Sequence, residues 1–115
     1  MPNAGFLGNP NAVDNTSVIT ALPASGGGVV NPNQGAVFSL TPTAGETLTA
    51  AVSPAGSEAT IIVTTSGTST FTITFGTGFK SQGTLATGAT SGKVFTLQFI
   101  SDGTNLNEVG RTTAM

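Results

Sequence analysis

The sequence predicts an all-β chain, a single β-sandwich or jelly-roll-like barrel with an extended N-terminal arm, and three features carry that expectation. Several stretches alternate with period two, placing Val, Ile, Leu and Phe on one face against Thr on the other. Clusters of Gly, Pro, Asn and Asp bound these stretches at intervals of about ten to twelve residues, the rhythm of sandwiches and barrels. No segment keeps apolar positions at helical spacing through ten residues, and Thr, Gly and Ser are poor helix formers, so almost no helix is expected.

The first element is the arm, residues 1–34, in which Asn, Pro and Gly interrupt every possible helix or long strand. Its apolar residues follow neither period, so they suit docking onto another surface; an irregular strand packed on the chain's own body is the alternative. Phe6, Leu7, Val18, Ile19 and Leu22 are the candidate partner-binding anchors. Gly26, Gly27 and Gly28 form the most flexible point of the chain and are expected to joint the arm to a body spanning 35–115. On this reading, removal of residues 1–25 leaves a folded body that no longer binds its partner.

The body opens with Ala36–Thr41, which carries Val37, Phe38 and Leu40. Thr47–Val52 follows, with Leu48, Ala50 and Val52 on one face. Ala59–Thr65 holds Ile61, Ile62 and Val63 in succession, as in a strand covered on both sides. Thr70–Phe75 sets Phe71, Ile73 and Phe75 against three threonines. Lys93–Ser101 turns Phe95, Leu97 and Phe99 inward, while Val94 and Ile100 make the other face apolar enough to predict a cover of some kind. Asp102-Gly103 is a hairpin signal, and the uneven pattern of Thr104–Arg111 after it predicts a bulge at Gly110 or an early strand end.

Composition narrows the partners. At 115 residues there is room for one core. Charged residues make up 7% of the chain, where an ordinary soluble protein carries about a quarter. With Lys80, Lys93 and Arg111 as the only cations, the chain cannot neutralise a run of phosphates, so nucleic acid and anionic membrane surfaces are excluded as partners. Weak repulsion between copies suits life inside an assembly. Cysteine is absent, so disulfides and thiolate chemistry are out. No secretory signal and no apolar run of about 20 residues is visible, which predicts synthesis and retention in a cytoplasm.

Chemistry is equally thin. There is no His, and the acids Asp14, Glu46, Glu58, Asp102 and Glu108 are scattered. Asp102 and Glu108 could meet across the last hairpin as an acid pair; an Asp serving its turn and a Glu paired with Arg111 is the preferred reading. Gly76–Lys80 lacks the spacing of a phosphate-binding loop and reads as a turn. No Ser lies in a nucleophile elbow, and no base is present to activate one. Phe supplies every aromatic, which disfavours sugar binding on Trp or Tyr platforms. No catalytic residue, metal site, cofactor or small-molecule substrate is expected.

Residues 78–115 resemble a module of tailed-phage structural proteins. Its marks are the GTLATG turn at Gly83–Gly88, the G-K-V-F strand at Gly92–Phe95, and Ser101–Thr104 followed by Glu108, Arg111 and Thr112; Leu106 stands where an aromatic is usual. The resemblance implies a virion protein found on the capsid exterior and made in the host cytoplasm: a decoration or cement protein that binds the major capsid protein, with copies associated as a homotrimer. Similar modules on tail and fibre components make a host-recognition module the alternative. A chain of 115 residues with one arm and one body fits small cement proteins better than a fibre with a long repetitive shaft.

Overall fold

The computed structural model describes residues 19–115, and within them the chain is all β, without helix. Ten strands follow one another: β1 (Ile19–Ala21), β2 (Gly28–Val30), β3 (Val37–Leu40), β4 (Glu46–Ala50), β5 (Glu58–Thr64), β6 (Thr72–Phe75), β7 (Phe79–Lys80), β8 (Leu85–Ala86), β9 (Val94–Ser101) and β10 (Leu106–Arg111). They form two sheets, one of six strands in the order β1-β3-β5-β9-β10-β7 and one of four in the order β2-β4-β6-β8.

Strands β1 to β9 alternate between the sheets, and the odd and even series from β1 to β6 pair in parallel within each. The chain therefore winds as a short two-sheeted solenoid before closing with antiparallel pairs, β5 with β9, β9 with β10, and β6 with β8, and a parallel pair of β10 with β7. The expected β character and paired sheets are present, but the winding departs from a jelly roll. The reason lies in the turns. Breakers such as Pro42 to Gly45 carry the chain across to the other sheet instead of back along the same one. Asp102-Gly103, the short hairpin signal, does join two antiparallel neighbours.

One apolar core fills the space between the sheets. Val30, Leu48, Ile73 and Leu85 come from the smaller sheet, and Phe38, Leu40, Ile61, Val63, Leu97, Phe99 and Leu106 from the larger. Inward residues follow the alternation: Ala59, Ile61 and Val63 in β5, and Phe95, Leu97 and Phe99 in β9. Ile62 is half-buried, so the outer face of β5 is covered only in part. The expected strand at Thr47–Val52 ends at Ala50, leaving Val52 exposed. That at Thr70–Phe75 starts at Thr72, and Phe75 stacks edgewise with Phe79 while Phe99 completes the cluster. Strands β7 and β8, two residues each, are too short to show any period in sequence.

The boundary of the expected arm is corrected over its described part. Residues 19–34 supply β1 and β2, each hydrogen-bonded to the next strand of its sheet, and Leu22 and Val30 are buried in the core. Deleting residues 1–25 would thus remove an edge strand and a core side chain. The glycine triplet is a corner between sheets rather than a joint: Gly27 has φ +87°, and a Cβ there would lie 2.6 Å from the Thr47 carbonyl oxygen.

Candidate interaction surface

Of the five candidate anchors, Phe6, Leu7 and Val18 lie outside the described residues. Leu22 is 8% exposed and belongs to the core, so it is withdrawn as a contact for a partner. Its apolar side chain follows three residues that pair with β3, and its amide donates to the Ser39 carbonyl at 2.7 Å, which fixes it inward. Ile19 is 56% exposed on β1.

Ile19 lies at an end of the molecule that sequence reading missed. β1 and β2 are the outermost strands of their sheets, each paired on one side only among the described residues. Val29 on β2 is 58% exposed, matching Ile19 on β1. From Ile19 to Gly45 there is no charged side chain. Exposed sheet edges in isolated proteins are usually guarded by charge, proline or a bulge. Here the strands themselves carry none of these guards. The signal was present in sequence as a long uncharged run, but only the sheet order shows that it forms an edge.

A second apolar region lies on the outer face of the larger sheet, where Ile100 and Val109 are exposed beside Glu58, Thr60 and Gln98 around a shallow groove of about 240 Å³. This is the face of β9 for which the sequence predicted a cover. No described element covers it.

Two of the acids, Asp102 and Glu108, are committed to structure. Asp102 accepts hydrogen bonds from the Thr104 and Asn105 amides at 2.9 and 2.8 Å. The Asn105 amide, then the Asn107 side chain and the Thr104 amide, hold its carboxyl down at about 2. Burial pushes Glu108 up, but hydrogen bonds from Arg111 and the Gln82 amide, with the Arg111 charge, outweigh it and leave the carboxyl below its ordinary range. Asp102 and Glu108 thus serve the turn and the ion pair, in keeping with the preferred reading. Gly76–Lys80 is a turn, closed by the Phe79 amide on the Gly76 carbonyl at 3.1 Å and entering β7.

Three buried hydroxyls, those of Thr65, Thr87 and Ser101, are likewise structural. Thr65 Oγ1 donates to the Thr90 carbonyl at 2.6 Å and accepts from the Lys93 amide at 2.8 Å. Thr87 Oγ1 accepts from the Phe71 amide, and Ser101 Oγ donates to the Ser53 carbonyl. Among the described residues, no three His, Cys, Asp or Glu side chains gather as metal ligands, and no helix is long and apolar enough to cross a membrane. Leu106 is fully buried in this fold.

No family model, curated protein or solved structure matches the chain. The surface itself is therefore the guide to function.

Proposed function

We propose that the protein works by adhesion, as a decoration or cement protein that binds the major capsid protein of an assembled phage head and stabilises it. The reading is non-enzymatic, with copies associated in threes on the capsid exterior. One observation carries it: the uncharged end formed by β1 and β2, where main-chain edges and the exposed Ile19 and Val29 face outward. A partner strand or loop can extend such an edge through main-chain hydrogen bonds, with apolar side chains supplying register. Repeated over a lattice, modest contacts add through multivalency, and binding the assembled shell alone stabilises that state by mass action.

The test is co-sedimentation of purified protein with expanded capsids, with copies per particle counted by quantitative mass spectrometry. Hundreds of copies, lost on the double substitution Ile19→Lys and Val29→Lys with the fold retained, are expected. Undiminished binding by that variant would remove the edge from the reading.

A tail or fibre module for host recognition is the second reading, favoured by the parallel winding, since solenoid rungs are built to stack end to end. A dozen copies or fewer per particle, together with binding of the purified protein to host cells, would select it.

A further inference from the structure

Between Ile19 and Ser57 the chain has one ionisable side chain, Glu46, and it is buried. Glu46 opens β4 and points inward on the face that also carries Leu48. It is 7% exposed, and among the described residues neither carboxylate oxygen has a hydrogen-bond partner. A polar group placed this way is unfavourable when neutral and far more so when charged.

The ground above it is the N-terminal corner. The Leu22 amide donates to the Ser39 carbonyl at 2.7 Å, and the Thr43 amide donates to the Ala24 carbonyl at 2.9 Å, so the loop from β1 to β2 rests on the loop that leads into β4. Gly27, at the end of that loop, lies against the first residues of β4. Its amide is the one polar group that eases a charge on Glu46, though not as a formed hydrogen bond. The corner is held by little else: β1 and β2 have three residues each, and Leu22 and Val30 are its buried side chains. Short, edge-located segments of this kind open first.

We infer that Glu46 is a proton-operated latch: neutral, it allows the Leu22–Val30 segment to close over β4, and ionised, it drives that segment to open locally and expose the carboxylate to water.

No other charge disturbs this coupling. The flanking strands β2 and β6, the facing β3, and the loops at 22–27 and 41–45 contain no titratable side chain. Glu58 is exposed at the start of β5, and Lys80, Lys93, Asp102, Glu108 and Arg111 lie on or beside β7, β9 and β10; none exerts a charge effect on Glu46. Burial raises the Glu46 carboxyl above its ordinary 4.5, against a smaller opposing pull from the Gly27 amide. The closed corner is therefore fully favoured below 4.5 and loses stability as pH rises from there through the raised value.

The test is amide hydrogen exchange of the full chain by NMR between pH 4 and pH 8, corrected for intrinsic rates. Protection of the Leu22 and Thr43 amides should fall by up to about tenfold per pH unit within that window and then level off. The Ser101 and Leu106 amides, bonded to Ser57 and Gly78 carbonyls far from the corner, serve as controls and should hold constant. Glu46→Gln should flatten the profile of the two reporters, and Glu46→Met should do the same if the amide perturbs packing. The inference fails if reporters and controls shift together, if the reporters show no pH dependence, or if it persists in both variants.

Discussion

Arg111 grips Glu108 with two guanidinium nitrogens, Nε to Oε2 and Nη2 to Oε1, both at 2.7 Å, although the two residues lie three apart in one strand. In a regular strand, residues three apart point to opposite faces. The register of β10 against β9 slips between Glu108, opposite Phe99, and Gly110, opposite Gln98, so Val109 is an extra residue. That bulge brings both charges to the inner face, where Arg111 covers the Phe75 ring at 5.6 Å and donates to the Gly83 and Thr84 carbonyls.

Breaking this pair should leave a buried charge without its counterion. The Glu108 side chain is 1% exposed, so Arg111→Ala should destabilise the fold by about 3 kcal/mol in urea unfolding. Arg111→Lys should recover little of this, because an ammonium cannot span both oxygens and also hold the Gly83 and Thr84 carbonyls.

Acid should act on the same pair. Glu108 is held below its ordinary 4.5, so its contribution is fully present above that value and is lost as pH falls through its folded value. Urea midpoints measured from pH 4.5 down to pH 3 should fall in the wild type, and the slope should shrink in Glu108→Gln. This is the reverse of the Glu46 effect, which weakens the corner as pH rises.

Phe99 closes the aromatic cluster, with ring centroids 5.7 Å from Phe75 and 5.1 Å from Phe79. Phe99→Ala should lower stability by about 3–5 kcal/mol in chemical denaturation, as expected for removing a fully buried ring that cannot be refilled.

Gly78 turns the chain from β6 into β7 at φ +91°, and any Cβ there would collide with the Ala50 carbonyl. Gly78→Ala should cost about 1–3 kcal/mol by thermal or chemical unfolding, through a disfavoured backbone conformation and a forced shift of β4.

The last hairpin was legible because the Asp102-Gly103 turn signal, within a four-residue loop, and a clean alternation act locally: Phe95, Leu97 and Phe99 could face only one way once β9 paired with its neighbours. The bulge was also visible, as Leu106 and Val109 falling out of phase, and it lies at Val109, next to the expected Gly110. Leu22 was misread as a docking residue because nothing in its surroundings alternates; it is buried by pairing with β3, whose partner residues begin 18 positions later. Ile19 and Val29, on the outer faces of the larger and smaller sheets, were not seen as exposed edge-strand residues for the same reason.

By itself the sequence determined that the chain is β, that it carries few charges, and that Asp102 would serve a turn and Glu108 pair with Arg111. Those properties depend on residue type and near neighbours. Which strand lies beside which, that the turns wind the chain between two sheets, and that Glu46 is buried without a hydrogen-bond partner were decided by tertiary structure. Period-two alternation is the same for a strand that returns in a hairpin and one that crosses to the opposite sheet, and only long-range packing distinguishes them.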